Sequence, residues 1–315
     1  MRTSAILLAL LLVRGPAAAV DAMPENPRFE LLRKQGVAIQ PDIVYLTTSG
    51  QALKLDIYRP PGSDGKVLPV VLYFHGGGWV AGSRERAALS GLPFLQMGFA
   101  VVNVGYRLAN TARAPAAVED TLCALQWVGI NAQKYGFDAK RVVTSGDSAG
   151  GHLALATAMI PSDSPFTNQC AANEPTWSGP YTNAAPKVAA VVNFYGITDV
   201  AAMLAGPEIR SYAVAWFGSM PGPAALAREL SPLTWVRAGG PPVFTIHGDA
   251  DRLVPHAHAV RLKAALDAAG VRNVLHTIPG AGHGGFSQEQ TVAALRAAHA
   301  FLDGLGLAPA LPANP

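Results

Sequence analysis

The stretch "RVVTSGDSAGG" (141–151) constrains the chain more than any other. A short apolar, β-branched run meets a serine flanked by glycines, and an apolar helical pattern, "AGGHLALATAMI" (149–160), follows at once. This is the strand–turn–helix setting of a nucleophile elbow, with Ser148 at the turn. The bare G-x-S-x-G pattern is weak evidence, because a chain with 32 glycines produces it by chance about one time in seven. Its context is what counts. Gly146 and Gly150 let the backbone pass close to itself, and the helix start directs free amides toward negative charge.

A serine hydroxyl needs a base, and the base needs an orienting acid. After the elbow, the apolar run "PVFTIHG" (242–248) leads into "DADRLVP", which offers Asp249 and Asp251. Asp251, three residues past Gly248, is favoured as the acid, and Asp249 reads as a turn or capping residue. His256, His258 and His299 fall on helical patterns and His276 in a strand. His283 sits in the glycine-flanked loop "PGAGHGGF" and is the expected base, in the order Ser–Asp–His. Upstream, "YFHGGGWVAG" (73–82) frees backbone amides after another buried strand. Gly77 and Gly78, with Ala149, are the expected oxyanion donors, and Gly76 is the alternative. The loop lacks the Lys-Ser/Thr ending of a phosphate loop. His256-x-His258 would splay its rings around a helix, and no cysteine pair has ligand spacing, so no metal is expected.

Eight strands are expected: 43–48, 52–58, 69–74, 100–106, 141–146, 188–196, 242–248 and 274–279. Helices are expected at 114–136, 149–160, 256–270 and 288–306. The alternation predicts an α/β fold with a mostly parallel sheet flanked by helices. Residues 161–186 read as a long loop. Residues 197–240, with helical pieces at "VAAMLAG" and "SYAVAWFG", read as a small cap or lid insertion. Arg2 followed by "AILLALLLV" (5–13) and small residues predicts a signal peptide over 1–22, the alternative being a short N-terminal helix. One domain then spans 23–306, and 307–315 reads as a disordered tail. Scattered basic residues give no nucleic-acid surface, and no membrane anchor is expected after cleavage. Oligomeric state is not legible. Export to an oxidising compartment would let Cys123 and Cys170 pair; two separate buried thiols are the alternative.

Taken together, "HGGGW" (75–79), "GDSAGG" (146–151), "HGDADRLVP" (247–255) and "GAGHGGF" (280–286) resemble the α/β-hydrolase superfamily over about residues 43–304. The resemblance is to bacterial carboxylesterases of the hormone-sensitive-lipase-like and acetyl- and feruloyl-esterase-like types. It implies an α/β-hydrolase fold with Ser148 as nucleophile, Asp251 as acid and His283 as base. Gly77, Gly78 and Ala149 would form the oxyanion hole, Trp79 would contact substrate, and no cofactor would be used. In that fold the helix bearing Cys123 and the one before Cys170 follow adjacent strands, which would bring the cysteines close. The implied activity is a secreted or periplasmic serine esterase for short-chain or aryl esters, including acetylated or feruloylated polysaccharide. An arylformamidase-like amide hydrolase and a non-catalytic hydrolase-fold binding protein are the alternatives. Export argues against the first and a complete triad against the second.

Overall fold

The computed structural model describes residues 26–173 and 185–308. The expected signal peptide lies outside the described residues, as do 309–315 and the middle of the expected 161–186 loop. All eight expected strands form: β1 (Ala38–Thr48), β2 (Gln51–Arg59), β3 (Leu68–Phe74), β4 (Ala100–Val104), β5 (Phe137–Asp147), β6 (Val188–Phe194), β7 (Val243–Gly248) and β8 (Asn273–Ile278). They make one sheet in the order β1-β2-β4-β3-β5-β6-β7-β8. β1 and β2 pair antiparallel to their neighbours and the rest are parallel. Every residue of β3 is buried, as a central strand covered on both faces requires.

Alternation along the strands feeds two cores. Leu72, Phe74, Val102, Val142 and Val191 pack with α3 (Ala116–Tyr135) and α4 (Ala149–Met159) on one face. Leu262 and Leu266 of α8 (Ala257–Ala268) join them. Val71, Tyr73, Val143, Val192 and Phe244 face the other way. Their partners include Phe29 and Leu32 of α1 (Pro27–Lys34), Phe94 of α2 (Leu92–Gln96) and Phe301 of α9 (Gln288–Asp303). α3 ends at Gly136 in the left-handed conformation, at a φ of 66°.

Four expectations change. α1 was not anticipated, although Asn26 caps it and Pro27 occupies its first turn, both recognisable start signals. The 161–186 segment is not all loop, since α5 (Asn168–Asn173) forms within it and Cys170 bonds to Cys123 on α3, with Cα atoms 5.2 Å apart. Leu307 and Ala308, assigned to the frayed tail, are buried in the core beside α9. In the insertion, "SYAVAWF" forms α6 (Ser211–Phe217) and α7 spans Pro223–Glu229, but "VAAMLAG" is not an α-helix. Among the described residues, no helix is long and apolar enough to cross a membrane.

Candidate active site

Ser148 stands between β5 and α4 with φ 56° and ψ −119°, a conformation that a side-chain-bearing residue adopts only when its surroundings enforce it. Its amide donates to Phe194 O on β6 at 2.9 Å. A Cβ at Gly146 or Gly150 would run into the carbonyl of Phe74, so the turn excludes any other residue there. Ala149, fully buried, opens the helix and leaves its amide at the N-terminal end behind Ser148.

His283 Nε2 lies 2.8 Å from Ser148 Oγ, and His283 Nδ1 lies 2.7 Å from Asp251 Oδ2. The other carboxylate oxygen accepts the amides of Leu253 at 2.8 Å and Val254 at 3.0 Å. Burial alone would raise the Asp251 pKa. Hydrogen bonds from His247, His283 and the Val254 amide outweigh it and hold the carboxyl well below the usual carboxylate range. Asp249, the competing acid, instead accepts the Gly280 amide at 2.6 Å and ties two turns together. The other histidines lie elsewhere. His258 is buried against the amides of Thr198 and Asp199, His256 meets Thr277, and His276 stacks on Phe244.

Gly77 and Gly78 face Ser148 across the same cleft. At Gly77 (φ 120°) a side chain would strike Ala81 O, so the loop closes only with glycine. Among the described residues, no backbone carbonyl takes the amide of either glycine. The amide of Gly76 is already engaged, donating to Asp147 Oδ1 at 3.1 Å, and this removes it as an oxyanion donor. Tyr73 OH donates to the same oxygen at 2.8 Å.

Comparison with known proteins bears on this geometry. The BD-FAE family model matches residues 55–266, two thirds of the chain. The chain belongs to the BD-FAE family. It is 29% identical to esterase LipQ of Mycobacterium tuberculosis over 82% of its own length, and spans 60% of that relative. It is 31% identical to ethyl acetate hydrolase of Pseudomonas putida, with 85% of this chain and 84% of that one covered. Among solved structures, the thermophilic esterase Est2 of Thermogutta terrifontis superposes with a TM-score of 0.71 at 26% identity, covering 91% of this chain and 96% of that one. The eight-stranded sheet and these matches give the protein an α/β-hydrolase fold similar to that of the esterases named.

The cleft of this BD-FAE chain has a volume of about 360 Å³. It is lined by Gly77, Gly78, Asp147, Ser148, His283, Tyr195, Tyr212 and Leu253. The insertion supplies Tyr212, whose ring abuts Gly78 and whose hydroxyl donates to Leu253 O at 3.0 Å. Trp79, expected to touch substrate, does not line the cleft. Its indole is fully buried, stacks on Trp216 of α6 at 4.1 Å and donates to His152 Nδ1 at 3.2 Å. With φ at 61°, its side chain turns inward, because an indole gains more from burial between α4 and α6 than from solvent. A separate cavity of about 220 Å³, beside α3, α4 and the start of β6, lies away from Ser148.

Four residues escaped the sequence reading. Asp147 anchors the 75–82 loop through the Gly76 amide; it stands inside the elbow motif, where only the glycines and serine were weighed. Tyr195, with φ at 40°, sets its ring against that of His283, 4.7 Å between centroids. Tyr212 and His247 carried no local signal, since a tyrosine on an insertion and a histidine ending a buried strand both read as filler.

Proposed function

We propose that the protein is an exported serine carboxylesterase that cleaves short-chain or aryl esters through an acyl-enzyme. The observation that carries this reading is the continuous chain Ser148 Oγ–His283–Asp251, at 2.8 and 2.7 Å, on a strained elbow. Ser148 attacks the ester carbonyl as His283 Nε2 takes its proton. Asp251 accepts from Nδ1–H, which fixes the tautomer and favours the imidazolium. The amides of Gly77, Gly78 and Ala149 receive the oxyanion, and His283 then protonates the departing alcohol. Water repeats the cycle and frees the acid.

The small cleft volume and the ring of Tyr212 beside Gly78 support short acyl groups. The relatives named for ester hydrolysis, one of them for ethyl acetate, point the same way. Export is supported by the N-terminal pattern of Arg2 and "AILLALLLV", together with the Cys123–Cys170 bond. Turnover of p-nitrophenyl esters from acetate to palmitate, beside acetylated xylan and methyl ferulate, tests the substrate range. The expected optimum is acetate to butyrate. Ser148→Ala should lose essentially all turnover and all fluorophosphonate labelling while remaining folded. A variant keeping more than about a tenth of wild-type kcat would refute the nucleophile. Fractionation of expressing cells, with N-terminal sequencing of the mature protein, tests export.

A further inference from the structure

The turn that carries the triad acid is held from outside itself on both sides. His247, at the end of β7, is fully buried beneath it. Its Nε2 lies 2.9 Å from Val254 O and 3.2 Å from Asp251 Oδ2. Both are acceptors, so the hydrogen sits on Nε2 and is shared between them. Nδ1 is buried with no hydrogen-bond partner among the described residues. The rings of His256 and Tyr195 also face this histidine, with centroids 5.4 and 6.5 Å away. On the outer side, Arg210 of the insertion donates through Nε to Leu253 O at 3.1 Å and through Nη2 to Arg252 O at 3.0 Å. Its guanidinium makes no ion pair with a carboxylate among the described residues. The three carbonyls that follow Asp251 are therefore each bound by a side chain from another element.

Val254 is the hinge of this arrangement. Its amide holds Asp251 Oδ1, and its carbonyl is held by His247. Oδ2 can reach His283 only while that turn keeps its shape. We propose that His247 and Arg210 are positioning residues for the triad acid, clamping the 251–254 turn so that Asp251 Oδ2 stays aimed at His283. On this view the 197–240 insertion is a fixed brace of the catalytic acid, in addition to forming a wall of the cleft. The inference rests on the triad reading given above.

The test compares His247→Phe, His247→Gln and Arg210→Met with wild type in steady-state turnover of p-nitrophenyl acetate. Phenylalanine fills the space without donating, and glutamine restores an N–H at similar reach. His247→Phe should lower kcat about 10- to 100-fold with KM within about twofold, because the substrate contacts are untouched. His247→Gln should recover most of the kcat. Arg210→Met, a change at the surface, should lower kcat about 3- to 10-fold with KM little changed. The double variant His247→Phe/Arg210→Met should lose less than the product of the two, since both act on one turn.

Wild-type kcat in Arg210→Met would overturn the proposal, and this surface variant decides the matter even if His247→Phe does not fold. A loss confined to KM in folded His247→Phe would do the same, as would a kcat loss that glutamine leaves unrepaired. Failure of the triad reading looks different: Ser148→Ala would then retain turnover, whatever the positioning variants do.

Discussion

The 75–82 loop and the 251–254 turn, to which the proposed mechanism gives the oxyanion donors and the acid, are secured by different forces. Both follow a buried parallel strand and both bring backbone to the cleft. The loop at 75–82 is locked by burial. His75 stacks on Tyr106 at 4.3 Å, Trp79 is sealed against Trp216 and His152, and Asp147 holds Gly76 from beneath. The turn at 251–254 is tied by single hydrogen bonds, and Leu253 at its tip is 52% exposed. Donors that meet developing charge must not reorganise during the reaction, so close packing suits them. An acid that works through one hydrogen bond needs only its aim preserved, and polar tethers worth about 1 kcal/mol each can supply that.

The sharpest way to break this comparison lies within the acid turn. Asp251→Asn should lower kcat by up to about 10⁴-fold, because an amide cannot hold His283 in the productive tautomer. Asp249→Asn, which alters only the link to Gly280, should stay within about tenfold of wild type. Steady-state kinetics of the two variants checks this, and the reverse ranking would mean that the wrong aspartate faces the base.

The loop side should give the next largest effect. Asp147→Ala frees the Gly76 amide and the Tyr73 hydroxyl, and the glycine run loses its anchor. An oxyanion donor out of place costs about 10²- to 10³-fold in kcat, so a loss in that range with KM little changed is expected. Thermal unfolding measured alongside should show lower stability, since the buried Tyr73 hydroxyl and the half-buried Gly76 amide both lose a partner, at about 1 kcal/mol each. A loss confined to KM would place Asp147 in ground-state binding and not in holding the loop.

Much of this architecture was legible in the sequence because its signals are short-range. Ser148 and His283 sit in glycine-rich turns after strands and Asp251 in the turn after β7, and their Ser–Asp–His order along the chain is what marked them. Cys123 and Cys170 could be paired from the expected export alone, and the fold adds that α3 and α5 bring them within 5.2 Å. Trp79 was misjudged because its destination depends on Trp216, 137 positions further along the chain, on an insertion whose path no local pattern encodes. His247 was missed because a strand-ending histidine shows its use only when the turn after it folds back. Asp147 was passed over though it lies in the motif, because its partners Tyr73 and Gly76 come from another strand and the loop beyond it.

The buried lock predicts a pH response of its own. Burial lowers the His152 pKa to about 4, against about 6.5 in an unfolded chain. Below about pH 6.5 the unfolded chain takes up a proton that the fold refuses. Stability from this residue is therefore complete above that pH and lost as pH falls toward about 4, by at most about 3 kcal/mol. His258, also lowered to about 4 by burial, adds a slope of the same sign from beneath the insertion. Urea unfolding of wild type between pH 4 and 8 should show this decline, and His152→Gln should flatten it. An unchanged slope would mean that acid unfolding begins elsewhere than at the Trp79 lock.

The smallest effect on turnover should come from the Cys123–Cys170 bond, which touches neither the loop nor the turn. It ties α5 to α3, and neither cysteine lines the cleft of Gly77, Gly78 and Ser148. Closing a loop of 47 residues restricts the unfolded chain, worth roughly 4 kcal/mol in the chain-entropy view, less any strain. Cys123→Ala/Cys170→Ala should accordingly melt several degrees lower while keeping kcat within about twofold at 25 °C. Thiol titration of denatured, unreduced wild type should find no free thiol. A large drop in kcat at a temperature where the double variant is fully folded would show that α3 transmits strain through α4 to the elbow, and the division between a rigid catalytic rim and an independent disulfide-bound flank would fail.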